Sequence, residues 1–441
     1  GLLVAFSVCK MSLLVQFVIS CVCFQSIICS NKFSWQKLPI VETNENISYI
    51  LPKTLKPTLY NLTITPDLNN STFKGEVVIT FDVQEETNVI ILHGNINSIV
   101  PSSVVVESLN QRLKVQPKTF LVDSKHDFFK FLLEKSLVIQ KNVVLSISYN
   151  GIMGSNMVGF YLSTYNTSSS EHLIGITQFE STYARRAFPC FDEPTYRAPF
   201  TIKIWRSSTQ ITMSNMKSNS GDPSNSTSLI LDTYDTTPPI PTYLVAFGIT
   251  DNTFGANIVK TNFTVFARQA ALNDSTYVGA MGQSILDTIG NFVGVPYPLP
   301  KMDVVAVPDF DAGAMENWGL TTYREKYVLY NAEKNSLRDK FGVLSVVAHE
   351  FGHQWFGDLV TPDWWSYAWL NEAFATYFEY TVPNELEPSW GIGSTMYVVG
   401  AVQYALDVDI DNPRPMTSNV WTPSQIDNSF DYVIYEKGGS V

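Results

Sequence analysis

Two histidines four residues apart, with a glutamate beside the first, constrain this chain more than any other feature: His349-Glu350-Phe351-Gly352-His353. They lie within residues 337–356, whose apolar spacing predicts a helix ended by Gly357. Residues i and i+4 share one helical face, about one turn apart, so two imidazoles can share one tetrahedral ion. Glu350 points beside that ion, where a carboxylate can take a proton from a water the ion polarises. A third ligand is needed. Trp369-Leu370-Asn371-Glu372-Ala373-Phe374-Ala375 opens a second helical pattern, and Glu372 stands 19 positions after His353. Gly357, Asp358, Pro362 and Asp363 let the chain reverse between them. The second helix is therefore expected to lie against the first and deliver Glu372. His349, His353 and Glu372 leave a fourth position open for water, and the expected cofactor is one zinc ion (Zn2+) per chain. A random match to the histidine pattern is expected in roughly one chain in a few hundred of this composition. The other histidines, His93, His126 and His172, fall in β-rich sequence and are expected to be hydrogen-bonded or solvated.

The rest of the chain divides by pattern. From about 55 to 250, short β-rich runs (58–65, 76–83, 89–92, 143–149, 200–205) alternate with turn clusters such as Pro66-Asp67-Leu68-Asn69-Asn70 and Asn150-Gly151. That rhythm predicts a large antiparallel β domain. The Ser/Asn-rich stretch 214–228 reads as one exposed loop. After about 250 the period changes. Residues 274–293 carry helical spacing with Asp274 or Ser275 as N-cap, 302–307 reads as a strand, and helical patterns dominate 336–382. The expected class is α+β. Its divisions are an export segment (1–30), a β-sheet domain (31–249) and a mostly helical domain carrying the metal motif (250–441), incomplete at its C-terminus. The end, Asp431-Tyr432-Val433-Ile434-Tyr435-Glu436-Lys437-Gly438-Gly439-Ser440-Val441, has no helix stop, so the chain is expected to be a fragment.

Composition excludes several classes. An apolar fraction of 45% against 16% charged excludes a disordered chain. The net charge is −12 and no basic stripe is present, which argues against nucleic acid as a partner. Four of five cysteines, Cys9, Cys21, Cys23 and Cys29, lie in the first 29 residues; cleavage there leaves Cys190 with no internal disulfide partner. Residues 11–29 form an apolar run after Lys10, expected to be a cleaved signal peptide or a signal anchor. Eight Asn-X-Ser/Thr triplets, at Asn46, Asn61, Asn69, Asn70, Asn166, Asn225, Asn262 and Asn273, all precede residue 280 and avoid the histidine region. That asymmetry predicts an exported glycoprotein.

Upstream of the metal helix stands Asp309-Phe310-Asp311-Ala312-Gly313-Ala314-Met315-Glu316-Asn317-Trp318-Gly319. Alone, it is an ordinary Gly-bearing turn. With the metal helix, it resembles the M1 (gluzincin) zinc aminopeptidases, aminopeptidase N-like. Gly313-Ala314-Met315-Glu316-Asn317 matches that family's exopeptidase motif at all five positions. The histidine pair with Glu372 matches its zinc motif. Gln178-Phe179-Glu180 and Ala184-Arg185-Arg186-Ala187-Phe188-Pro189-Cys190-Phe191-Asp192-Glu193-Pro194 resemble its N-terminal signature.

The resemblance covers about residues 50–441 and implies a thermolysin-like catalytic domain. It also implies roles. Glu316, with Gln178 and Glu180 reaching from the β domain, would hold the α-ammonium of peptides with a free N-terminus. Gly313, Ala314, Met315 and Asn317 would complete the substrate loop, with Gly313 and Ala314 forming a strand edge for the peptide backbone. A tyrosine just before a Lys-Gly pair would hydrogen-bond the oxyanion. Tyr435 fits that place, and Tyr432 is the nearby rival, expected to pack. Members at the cell surface often carry a lipid (GPI) anchor, so membrane association on the extracellular face is expected. The match looks closer to members that remove neutral residues.

Three rival readings fit the residues less well. An endopeptidase on the same zinc helix conflicts with Glu316, which would repel a neutral or acidic chain passing through. A non-enzymatic surface receptor on this fold conflicts with the complete set of ligands, Glu350 and Tyr435. The leukotriene hydrolase branch typically has Gly where Ala314 stands and lacks an export segment.

Overall fold

The computed structural model describes residues 49–441, apart from 109–112, 169, 224–227 and 261. Alternation builds its first half. In β1 (Leu55–Asp67), Tyr60, Leu62 and Ile64 are buried while their neighbours face outward. β2 (Thr72–Val83) buries Val77, Ile79, Phe81 and Val83 in the same way. The two pair antiparallel with Leu62 opposite Val77, and β2 pairs antiparallel with β3 (Gln140–Ile152), Ile79 opposite Leu145. These form the middle of a nine-stranded sheet among the described residues. A second sheet of four strands holds β4 (Gly159–Asn166) and β5 (Glu171–Gln178). The apolar faces of these sheets share one core.

The antiparallel expectation fails at one place. β1 is flanked on its other side by β6 (Phe200–Arg206), and that pair is parallel, Leu62 beside Ile202. Alternation decides which face a residue takes but not which strand lies next to it, so the sequence pattern could not distinguish the two arrangements.

The stretch 214–228 is not one exposed loop. Ser218–Pro223 is a strand at the end of the nine-stranded sheet, paired with Ile230–Tyr234. Ser214 and Asn215 are buried. The Asn215 amide nitrogen donates to the carbonyls of Leu244 (2.8 Å) and Trp318 (3.0 Å), and its oxygen accepts from Ala246 N (2.8 Å). A composition typical of loops here supplies the hydrogen bonds that buried backbone requires.

A five-stranded sheet follows, with β7 (Met302–Val307) at its centre and β9 (Leu320–Arg324) beside it in parallel. The short β8 (Ala314–Met315) is its edge strand, pairing antiparallel with Tyr323 and Thr322. Helices pack on this sheet. α1 (Thr276–Val293) follows Ser275, whose hydroxyl donates to Leu272 O (2.6 Å) and so does not cap the helix. α2 (Leu337–His353) starts from a capping box between Ser336 and Asp339. α2 ends at His353, three residues before the expected end, and the chain turns sharply at Gly357 with φ +137°. α3 (Trp369–Leu386) returns against α2. α4 (Tyr404–Asp411) and α5 (Pro423–Asp427) lead to the helical turn Val433–Lys437, which continues into Gly438–Ser440. Ile285 and Ile289 of α1, Leu344 and Phe351 of α2, Phe378 of α3 and Val304 of β7 share one buried core. No described helix is long and apolar enough to cross a membrane.

Gly319 joins the two halves. Its φ is +81°, and a Cβ there would lie 2.5 Å from Asn215 O. Gly319→Ala is expected to destabilise the protein by about 1–3 kcal/mol, the cost of holding a side-chain residue in this conformation, before the clash is counted. A urea midpoint equal to that of the parent would refute it.

Candidate active site

The α2–α3 pair brings three ligand atoms together. His353 Nε2 lies 3.1 Å from His349 Nε2, and Glu372 Oε2 lies 3.2 Å from each. Ligands about 2.0–2.1 Å from a tetrahedral zinc stand about 3.3 Å apart, so the triangle fits that ion. All three residues are buried.

Tautomers are set from behind. His349 Nδ1 is 2.7 Å from Glu379 Oε1, and His353 Nδ1 is 2.9 Å from Phe356 O. His353 Nδ1 faces a carbonyl and so carries the proton, which directs its Nε2 toward His349 and Glu372, while the Glu379 carboxylate stands at ion-pair distance behind His349. Glu379 was not singled out in the sequence. Its only signal is its place two turns after Glu372 on the same helix.

The site is rich in carboxylates. Burial raises the Glu350 carboxyl to about 8, against the lowering effect of the nearby histidines. Burial, then the neighbouring Glu316, pushes Glu180 up, and burial also raises Glu316. Burial works to raise Glu372 as well, but His353 and the hydrogen bonds from both imidazoles hold it well below the usual range. On His349 burial opposes the charge, yet the bonds to Glu372 and Glu379 lift it to about 9. A buried group of acids in this arrangement favours cations.

The loop 313–319 lies against α2. Gln354, directly after His353, donates to Glu316 O (2.9 Å) and accepts from Gly319 N (3.2 Å). Glu316 is 3% exposed, and its Oε1 has no hydrogen-bond partner. Gln178 donates to Met315 Sδ (3.3 Å), which leaves its Oε1 unpartnered. Glu180 is half-buried beside them. Gly313 O accepts from Arg324 N (3.0 Å), and Ala314 is in the edge strand. Asn317 turns inward, donating to Leu320 O and Thr322 Oγ1 (both 3.3 Å), so its side chain braces the loop. The Tyr435 ring stacks near His349, centroids 6.0 Å apart. Tyr432 donates to Asn412 O (2.9 Å), with Arg414 over its ring.

The family model described as "Peptidase family M1 domain" matches residues 279–441, and that described as "Peptidase M1 N-terminal domain" matches 56–244. The chain is 37% identical over 395 residues to endoplasmic reticulum aminopeptidase 1 of Homo sapiens, an alignment covering 89% of this chain and 42% of that protein. It is 35% identical over 416 residues to aminopeptidase N of Canis lupus familiaris, with the same two coverages. It is 33% identical over 392 residues to the thyrotropin-releasing hormone-degrading ectoenzyme of Rattus norvegicus, covering 88% of this chain and 36% of that protein. The chain thus spans less than half the length of these relatives.

Proposed function

We propose, from the premise that the chain belongs to peptidase family M1, that the whole protein is a zinc aminopeptidase removing N-terminal residues from peptides. The observation that carries this reading is the convergence of His349, His353 and Glu372 beside an unpartnered buried Glu316 oxygen. His349, His353 and Glu372 would hold the zinc, which supplies Lewis-acid activation of water and of the scissile carbonyl. Glu350 accepts a proton from the attacking water and passes it to the departing amine as the C–N bond breaks. The Tyr435 hydroxyl donates to the oxyanion. Glu316, Gln178 and Glu180 take the α-ammonium, and the free edge of β8 takes the peptide backbone. The Met315 thioether and Gln178 amide offer no charge to the first side chain, which favours neutral residues.

The test is hydrolysis of an alanyl chromogenic amide and its N-acetylated form by the full-length protein, with zinc measured on the same sample. Zinc near one per chain and preference for the free amine are expected. Equal rates on both substrates would sink the exopeptidase reading. The second-row contact gives a further prediction. Glu379→Gln is expected to weaken metal affinity about 10–100-fold, read by competition with a chelator. Unchanged affinity would remove Glu379 from the site.

We also place the divide between the β domain and the catalytic domain near 250, and the protein in the secretory pathway, at the cell surface or secreted. Asn69, Asn70, Asn166, Asn262 and Asn273 are exposed and Asn61 is half-buried, which suits glycan attachment. Asn46, Asn225 and the expected export segment lie outside the described residues. Expression in a secretory host should give a protein whose mass falls on glycosidase treatment; an unchanged mass would count against export.

A further inference from the structure

We infer that Asp427 is a positioning residue that fixes the distance between the amine anchor and the oxyanion donor. This inference rests on the aminopeptidase reading. One Asp427 carboxylate oxygen accepts from Ser181 Oγ (2.5 Å) and the other from the Tyr183 hydroxyl (2.7 Å). Ser181 and Tyr183 lie one and three positions after Glu180, so both oxygens grip the segment that presents the amine-binding carboxylate. Asp427 is also the last residue of α5, eight residues before Tyr435.

That connection is stiff. Asn428 N bonds Ser424 O (3.1 Å), and Ser429 N bonds Ile426 O (2.9 Å). Asp431 then accepts from Val433 N at its side chain (2.9 Å) and from Tyr435 N at its carbonyl (3.3 Å). Upstream, Trp364 donates to Val420 O (2.7 Å), which ties the same segment to the loop between the metal-bearing helices. A capping box between Thr422 and Gln425 holds the start of α5.

The consequence is geometric. Glu180 belongs to the β-sheet half and Tyr435 to the helical turn Val433–Lys437. The Asp427 carboxylate connects the 181–183 segment to the segment carrying Tyr435. A substrate held at its ammonium by Glu180 and at its carbonyl by Tyr435 needs both at once. Loss of the bridge lets the two drift apart, and a misplacement of about 1 Å at a reacting centre costs about a hundredfold in rate.

The experiment uses the full-length protein and the free alanyl amide. Asp427→Ala is expected to keep its zinc, raise KM and lower kcat together, with kcat/KM falling about 10–100-fold. Ser181→Ala combined with Tyr183→Phe should reproduce that loss, and adding Asp427→Ala to the pair should cost nothing more. Asp427→Asn keeps one acceptor and should fall between parent and Asp427→Ala. If Asp427→Ala does not fold, Asp427→Asn and Tyr183→Phe carry the same comparison, each removing one bond. A kcat/KM within twofold of parent overturns the inference. So does a fall in kcat at unchanged KM, which reports only lost folded enzyme, or a triple variant whose loss is the product of the separate losses. A parent protein that binds zinc but does not prefer the free amine overturns the aminopeptidase reading instead, before any variant is made.

Discussion

Glu350→Gln is expected to leave the zinc in place and lower kcat by about 10²–10⁴, the range spanned by general acid–base catalysis. Glutamine has the shape of glutamate but its amide cannot accept the proton of the attacking water. Glu350 is 5% exposed and adjacent to His349, so it faces the site without being one of the three converging ligands. Burial raises its carboxyl, against the lowering effect of His349 and His353, so the group is poised to hold a proton taken from water. His353→Ala is the control, since removing one ligand of three should lose zinc and activity together. A Glu350→Gln protein with full zinc and a rate within tenfold of the parent would remove Glu350 as the general base.

Glu316→Ala is expected to separate substrates by their charge. Its Oε1 is buried and unpartnered, a costly arrangement unless a cation completes it. For the free alanyl amide the variant should raise KM and lower kcat, because the same contact binds and aligns the substrate. The N-acetylated amide never makes that contact and should change far less. A buried charged hydrogen bond of this kind is worth about 1.5–3 kcal/mol, or roughly 10–150-fold in kcat/KM. The parent should also lose activity as the substrate amine deprotonates at rising pH, and the variant should lose less. An equal fall on both substrates would show that Glu316 does not anchor the amine.

How far the site could be read from sequence depended on how local each signal was. The His349–His353 spacing lies within one helical turn, and Glu372 follows across a loop rich in turn residues, so a helix pair could be drawn from the chain alone. The strand Met302–Val307 was legible for the same reason, as a short apolar run bounded by turn residues. The reversal into that helix pair was placed late, because apolar spacing continues through Phe356 although the helix stops at His353. Contacts between distant segments left no local trace. Asp427 meets Ser181 across 246 positions, and Glu379 meets His349 across two helices. Asn215 looked like loop because its role depends on carbonyls about 30 and 103 residues away.

The parallel pair of β1 and β6 bears on how the chain is made. Tyr60 lies beside Phe200, 140 residues later, and β1 is an inner strand of its sheet. During synthesis the β1–β2 hairpin can close early, since Leu62 and Val77 are near in sequence. Its other edge then waits, unpaired, until residue 200 has emerged. From the end of β2 at Val83 that is 200 − 83 = 117 residues, so at about 5–20 residues per second the wait lasts roughly 6–23 seconds. Closing so long a loop also carries an entropic cost that a hairpin avoids. An unpaired edge of that duration is a target for other strands, so this half of the protein is expected to depend on chaperones during synthesis more than the helical half does.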